Sequence, residues 1–300
     1  MNTYSYLDCL QQSLRVNWRI EEVLGDSSFD PGRRWMPQAL SAADQLPFLS
    51  ETEKRKLTHV EMGAYSHLFG YVEGFIAPQM NDLAQEQKEG TVNAFEALAN
   101  MVAEEVKHMT LFRKIRDRVD SQLGFPLQLL DGEKEVAQYV LGKNRGAVLL
   151  LIACIEWFTQ LHYLSAIRED NSLDNLTKRI FRAHWLEESQ HAKLDHLEAL
   201  RSFERMERAQ KDQAIEDLID LIQAVDGLLV QQCHFDVENF SRYLGKDFSE
   251  LERNQIFVAE LKVKRWVFIL SGVTHPNFQE LFNNVTTDSQ KERVQLALAS

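Results

Sequence analysis

The chain contains 300 residues, of which 44% are hydrophobic and 26% charged, and this composition is typical of a soluble globular protein. Its formal net charge is −12 at pH 7. Because no basic stripe stands out that could neutralise phosphates, the sequence argues against a nucleic-acid partner. The N-terminus lacks the pattern of a secretory signal, and the most apolar run, residues 146–155, is about half as long as a membrane span. We therefore expect a cytoplasmic protein that does not associate with a membrane.

Helices are predicted throughout, because 13 glycines and 6 prolines leave few signals for strands and turns. A short amphipathic helix in the first 50 residues precedes Ser50 and Glu53, whose spacing is that of a capping box at the start of a long helix. This first long helix should bend or end near Pro78. A second helix is predicted to begin after "EGT" at 89–91 and to continue to about residue 120. The later predicted segments are a connection of roughly 25 residues with a short helix, a third helix at about 145–168, a fourth at about 174–209, and two or three segments within 212–300.

The four long helices predict an all-α fold. A long connection between the second and third helices is what a four-helix bundle with a crossover requires. We predict a single domain over residues 1–300, with the bundle core at about 50–209 and a helical extension at 212–300. Cys9, Cys154 and Cys233 are odd in number and have no CxxC spacing, so we expect reduced, buried thiols.

Two Glu-x-x-His pairs lie on the apolar faces of the second and fourth predicted helices. Glu105 and His108 fall within a stripe of apolar residues at helical spacing, and Glu188 and His191 fall within a similar stripe. The i, i+3 spacing brings both side chains of a pair to one side of the helix, within reach of one metal ion. A buried carboxylate beside an imidazole needs a proton, a partner or a metal ion. Each pair is therefore a candidate pair of metal ligands.

The other two long helices each contribute one interior glutamate, Glu73 and Glu156. The distance from Glu73 to Glu105 is 105 − 73 = 32 residues, and that from Glu156 to Glu188 is 188 − 156 = 32 residues. Two helical hairpins with the same ligand offset predict a pseudo-twofold site. Four carboxylates and two imidazoles suit two iron or two manganese ions, whereas a structural zinc site would favour thiolates. Without cations, most of the four carboxylates would have to take up protons.

Other interpretations are open for several residues near these motifs. Glu61 is an alternative to Glu73 on the first helix, although it breaks the equal spacing. Glu104 and Glu187 fit either a solvated face or a role in holding an imidazole, and Asp195 could also orient an imidazole. Cys154 is interpreted as a packing residue. The remaining histidines are interpreted as ordinary surface or core side chains: His59, His67, His162, His196, His234 and His275.

His184 lies one turn before Glu188 on the same helix face. It can therefore reach the same metal ion as an additional nitrogen ligand. The alternative is a core histidine that is hydrogen-bonded to a carboxylate.

Together, Glu73, "EEVKH" at 104–108, Glu156 and "HWLEESQH" at 184–191 resemble the ferritin-like di-iron carboxylate proteins. The His-x-x-x-Glu-x-x-His form of the fourth helix is similar to the p-aminobenzoate N-oxygenase-like branch, whose enzymes oxidise aryl amines to nitro groups. The resemblance covers about residues 50–200 through these motifs. It implies a ferritin-like four-helix bundle with additional N- and C-terminal helices.

The resemblance also implies ligands, cofactors and partners. The implied metal ligands are Glu73, Glu105, His108, Glu156, His184, Glu188 and His191. The implied cofactors are two Fe ions, with Mn as an alternative, and O2 is the implied co-substrate, which forms a peroxo-diferric species. The implied reaction is N-oxygenation of a small-molecule amine to a hydroxylamine or nitro product, with an electron donor or reductase as partner. A homodimer is one option for the oligomeric state.

Two other functions are compatible with the same ligands. One is a di-iron hydroxylase or desaturase that acts on a C–H bond. The other is an Mn/Fe oxidase without an organic substrate, or an iron-storage protein. Storage would favour a shorter chain, whereas the extension of roughly 100 residues after the fourth helix is suited to capping a substrate channel or a dimer interface.

Overall fold

The computed structural model describes residues 4–88 and 90–299. The predicted domain limits at residues 1 and 300 lie outside these residues, as does residue 89 in the segment that precedes the predicted second helix. Between residues 4 and 299, apart from residue 89, the secondary structure is helical, and an isolated bridge between Arg34 and Leu173 is the one β-type pairing. The all-α prediction is confirmed.

The described part of the chain forms twelve α-helices. They are α1 (Tyr6–Arg15), α2 (Ile20–Val23), α3 (Glu51–Gln87), α4 (Val92–Leu123), α5 (Glu133–Leu141), α6 (Arg145–His162), α7 (Asn175–Glu204), α8 (Arg208–Leu244), α9 (Glu250–Arg265), α10 (Ser271–Val273), α11 (Pro276–Val285) and α12 (Asp288–Ala299). A π-helical turn at Tyr163–Ile167 continues α6, and a second one at Trp266–Leu270 joins α9 to α10.

Helix α3 begins at the predicted capping box but does not end at its proline. The Ser50 side chain accepts a hydrogen bond from the backbone of Glu53, and the Glu53 side chain accepts one from the backbone of Ser50. Pro78 lies inside the helix, which continues to Gln87. A proline inside a helix costs about 3 kcal/mol, and the packing of α3 along α4 offsets this penalty.

The long helices α3, α4, α6 and α7 form the bundle. Helix α3 packs against α4 and helix α6 against α7, and within each pair a short connection joins the two helices. The longer segment 124–144, which contains α5, leads from the first pair to the second. The fold is therefore a ferritin-like four-helix bundle with added helices at both ends, as predicted.

Helix α6 is the most apolar helix of the bundle. Together with its π-helical turn, the segment Arg145–Ile167 is long and apolar enough to cross a membrane by length and composition, and it is the one such helix among the described residues. In the structure, 89% of its most apolar window is buried inside the protein. It therefore serves here as a core helix, which is how the sequence was interpreted.

The segment after the bundle contains more helices than the two or three predicted. The fourth helix, predicted at about 174–209, ends at Glu204. Helix α8 begins at Arg208, where Glu207 and Gln210 form a capping box. Helices α9 to α12 then fold back, and α8 packs against both α3 and α6. The extension thus covers the side of the bundle that α3 and α6 form.

A close contact between α10 and α6 fixes the extension to the bundle. A Cβ atom at Gly272 would lie 2.4 Å from the backbone oxygen of Cys154. We expect Gly272→Ala to lower the free energy of unfolding by roughly 1–3 kcal/mol, because overpacking forces the backbones apart. Gly227→Ala on α8 is the control, since nothing lies within 4 Å of that position. It should stabilise the helix by up to about 1 kcal/mol. Urea unfolding measures both, and equal effects would contradict the close contact.

Candidate metal centre

All seven predicted ligand side chains point into the bundle, where each is at most 2% exposed. They are Glu73 on α3, Glu105 and His108 on α4, Glu156 on α6, and His184, Glu188 and His191 on α7. The burial agrees with the helix faces that were inferred from the apolar spacing. Their role as metal ligands stays a prediction.

Six of the seven residues form two groups of potential ligand atoms. The first group consists of Glu73, His108, His184 and Glu188, and the second of Glu105, His108, Glu188 and His191. Within each group, the atoms lie within 4.8 Å of one another. His108 and Glu188 belong to both groups, so the two candidate ion positions are adjacent.

His108 and His191 both direct Nδ1 at the same two carboxylates. Nδ1 of His108 lies 3.2 Å from Glu105 and 3.0 Å from Glu188. Nδ1 of His191 lies 3.0 Å from Glu105 and 2.8 Å from Glu188. The two motif glutamates therefore lie between the two imidazoles, which is the arrangement that bridging carboxylates would have.

Glu104 and Glu187 hold the imidazoles from the opposite side, and each does so across the bundle. Nε2 of His191 lies 2.8 Å from Glu104, and Nε2 of His108 lies 2.9 Å from Glu187. A carboxylate on the outer nitrogen fixes the ring orientation and leaves the inner nitrogen for a metal ion. Both glutamates are buried. The interpretation as solvated residues is therefore wrong, and the doubled glutamate in "EEVKH" and "EESQH" is the sequence signal for this pairing.

The N-terminal segment covers the site and anchors Glu104, and Lys107 on α4 anchors Glu187. The Ser13 hydroxyl on α1 donates a hydrogen bond of 2.8 Å to Glu104. Lys107 donates to Glu187, and its ammonium group lies 4.1 Å from the ring centre of Trp18. The Trp18 ring stacks on His108 with a centroid distance of 6.0 Å. Predictions from the bundle helices alone could not include Ser13 and Trp18, because these two residues belong to a segment outside the bundle.

The four buried carboxylates fall into two classes, one with a raised pKa and one with a lowered pKa. Desolvation, followed by repulsion from Glu105, raises the pKa of Glu73 well above its usual value. Desolvation and repulsion from Glu188 do the same for the pKa of Glu156. Burial also opposes ionisation of Glu105 and Glu188, but the neighbouring imidazoles outweigh it. His191 and His108 lower the pKa of Glu105 to about 2, and all three imidazoles lower the pKa of Glu188 well below its usual value.

The imidazoles show the complementary behaviour. Desolvation lowers the pKa of His108 and His191, but the surrounding carboxylates outweigh it and raise both values well above the usual range. For His184, desolvation dominates over Glu188 and lowers the pKa, which favours the neutral ring. The shifts of the other groups favour ionised Glu105 and Glu188 paired with protonated His108 and His191.

The donor atoms fit a dinuclear metal site. The buried polar atoms without a hydrogen-bond partner include Glu73 Oε2, Glu105 Oε1, Glu156 Oε2 and both ring nitrogens of His184. A buried polar atom without a partner costs about 1–3 kcal/mol, so several in one place indicate metal-binding groups. Nε2 of His184 lies 2.6 Å from Glu188 Oε1, outside hydrogen-bond geometry. Carboxylate oxygens and imidazole nitrogens are the donors that Fe and Mn favour.

Three buried acidic residues, two glutamates and one aspartate, lie outside both ligand groups. Glu156 belongs to neither group, but its side chain interacts with Glu188 next to them. Glu61, the alternative ligand on α3, accepts a hydrogen bond of 2.7 Å from the backbone of Ala42 and faces Glu260 on α9. Asp195 is buried near His191, yet neither carboxylate oxygen has a hydrogen-bond partner, so it does not orient that ring by a hydrogen bond.

No other histidine in residues 4–88 or 90–299 enters either group. His59 contacts the backbone oxygen of Arg33, and His67 contacts that of Leu130. His162 lies between Tyr65 and Ser271. The three cysteines are free and buried, as predicted.

A ferritin-like bundle with two adjacent groups of buried glutamates and histidines defines a protein with a dinuclear metal site. Over residues 16–232 the chain matches the family P-aminobenzoate N-oxygenase AurF. The match covers more than half of the chain, and the chain belongs to this family. A comparison with curated proteins gives no match.

Solved structures with a similar chain path include R2-like ligand-binding oxidase with a reconstituted Mn/Fe cofactor. One mutant form is 10% identical over 91% of this chain and 94% of its own, with a TM-score of 0.46. Another form of the same oxidase is 11% identical over 88% of this chain and 93% of its own, with a TM-score of 0.44.

Proposed function

We propose that this protein is an O2-dependent oxygenase that uses a dinuclear iron centre, with manganese as an alternative metal, to oxidise the nitrogen of a small-molecule amine. The observation that carries the proposal is the position of His184. It adds a third imidazole to the groups formed by the two Glu-x-x-His pairs, and it shares the first group with Glu73 and Glu188. Membership in the p-aminobenzoate N-oxygenase family supports N-oxygenation as the reaction.

The protein's own residues have three tasks in this proposal. Glu105 and Glu188 lie between the imidazoles and, with the other predicted ligands, would hold the two ions, which would supply the redox chemistry of O2 activation when bound. Glu104 and Glu187 fix the ring orientations of His191 and His108. Apolar side chains keep water away from His184.

This water exclusion comes from two aromatic rings. Phe69 and Phe112 pack edge to face against His184, with centroid distances of 5.5 and 4.9 Å. Both rings are buried. A dry environment of this kind suppresses the side reactions of an oxidising centre with water.

The first oxidation of an amine also requires electrons from outside the protein. Conversion of an amine and O2 to a hydroxylamine and water consumes two electrons and two protons. We therefore propose an electron donor as a partner, in the cytoplasm, where the three free cysteines would stay reduced. The homodimer stays a prediction.

The test is single-turnover oxidation of aryl amines by protein that has been loaded with Fe(II) and mixed with 18O2 and a reductant. We expect 18O on the amine nitrogen, detected by mass spectrometry as a hydroxylamine or nitro product. His184→Ala should retain most of its iron, because six ligands remain, and should lose N-oxygenation by roughly tenfold or more.

His196→Ala is the control, because His196 lies on the same helix and in neither ligand group. It should oxidise the amine as the wild type does. Oxygen on carbon instead of nitrogen would replace the proposal with a C–H hydroxylase. Unchanged N-oxygenation in His184→Ala would show that His184 is a structural histidine.

A further inference from the structure

A large apolar cavity lies beside the metal centre. Its volume is about 390 Å³, which is in the range of pockets that hold drug-sized ligands. Helices α3, α5, α6 and α8 line it, together with Phe268 from the turn after α9. The bundle supplies the inner wall, and the extension supplies the outer wall.

Two aromatic rings, Phe158 and Phe69, separate the cavity from the candidate ligand His184. Val72 and Ile155 line it and directly precede Glu73 and Glu156 in the chain. Phe158 also lines it, and its ring packs against Phe69 with a centroid distance of 6.0 Å. Because Phe69 in turn contacts His184, the inner end of the cavity is two aromatic rings away from a candidate ligand.

The cavity has no positive charge on its walls. Among the described residues that line it, the one acidic or basic residue is Glu135, which is exposed at the rim. The nearby Lys143 packs over the ring of Tyr139, where it is paired with Asp220 at 3.0 Å. A carboxylate inside this cavity would lose its hydration without gaining a positively charged partner, which is strongly unfavourable.

We infer that this cavity binds the organic substrate, and that the substrate is an uncharged aryl amine with an apolar substituent, not an aminobenzoate anion. The amine would point toward Phe158 and the metal centre, and the apolar part would fill the cavity toward α8. The identity of the reacting group rests on the proposed function. The apolar and uncharged character rests on the cavity walls alone.

The test compares ethyl 4-aminobenzoate with 4-aminobenzoate, which differ in the charge of the group opposite the amine. Calorimetric titration of the metal-loaded protein in the absence of reductant measures binding without turnover. We expect the ester to bind at least about tenfold more tightly than the anion, because the anion would be desolvated without a partner. Equal affinities, or tighter binding of the anion, would overturn the inference.

Two variants test whether the binding site is this cavity. Ala224→Phe on α8 adds a ring to the cavity from a half-buried position and should weaken binding of the ester at least about tenfold. Glu135→Lys should strengthen binding of the anion by about fivefold, since an exposed charge pair contributes up to about 1 kcal/mol. Glu133→Lys changes the net charge equally on the same helix but does not line the cavity, so it should leave both affinities unchanged.

The outcomes distinguish this inference from the proposed function. If Ala224→Phe weakens binding of the ester but the wild type does not oxidise the ester's nitrogen, the cavity assignment stands and amine oxidation fails. If amines are oxidised equally well by Ala224→Phe, amine oxidation stands and the cavity assignment fails.

Discussion

Loading the metal-free protein with Fe(II) under anaerobic conditions should raise its midpoint temperature of thermal unfolding by roughly 8 °C. The physical reason is that the ions bind the folded bundle and not the unfolded chain. At a metal concentration about a thousand times the dissociation constant, this contributes about 4 kcal/mol. For a chain of this size each kcal/mol corresponds to about 2 °C. Differential scanning calorimetry with and without a chelator measures the effect, and identical midpoints would contradict the metal centre.

This stabilisation should grow with pH. In the metal-free protein, His108 and His191 have raised pKa values, so the stability they contribute is present at low pH and is lost as the pH rises through those values. The raised pKa values of Glu73 and Glu156 act in the same direction, because ionising these buried carboxyls is unfavourable. Metal ions bind the deprotonated forms of these carboxyls and imidazoles, so metal binding releases the protons that they carry. The shift in midpoint should therefore be larger at about pH 8 than at about pH 6, and the opposite order would contradict this proton balance.

Glu188→Ala should abolish binding of both metal ions. Glu188 belongs to both ligand groups and lies within 3.0 Å of three imidazoles, His108, His184 and His191. Its removal takes a ligand from both ions and leaves the imidazoles without their main counter-charge. Elemental analysis after metal loading should give close to zero metal per chain.

Two other glutamates on α7 serve as references for this variant. Glu187→Ala removes only the carboxylate that holds Nε2 of His108, so it should weaken metal affinity by about 10–100-fold. Glu204→Ala alters an exposed residue at the end of the helix and should bind metal as the wild type does. Equal metal content in Glu188→Ala and Glu204→Ala would show that Glu188 is not a ligand.

Local sequence signals determined the helices and the inward direction of the candidate ligands. Apolar residues at helical spacing placed Glu105, His108, Glu188 and His191 on buried faces, because side chains three residues apart share one side of any α-helix. The repeated interval of 32 residues then indicated the two interior glutamates on α3 and α6. These relations hold within single helices or between adjacent ones, so they can be derived without knowledge of the fold.

Tertiary structure decided what surrounds those side chains. Glu104 and Glu187 lie beside the ligand-bearing faces, and their helical phase alone allows either a solvated or a buried position. They are buried because α1 and Trp18 cover the bundle and because each reaches an imidazole on the opposite helix. The apolar cavity likewise exists only where α5 and α8 meet α3 and α6. Contacts between segments far apart in the chain depend on how whole helices pack, and no periodicity within a single helix encodes that packing.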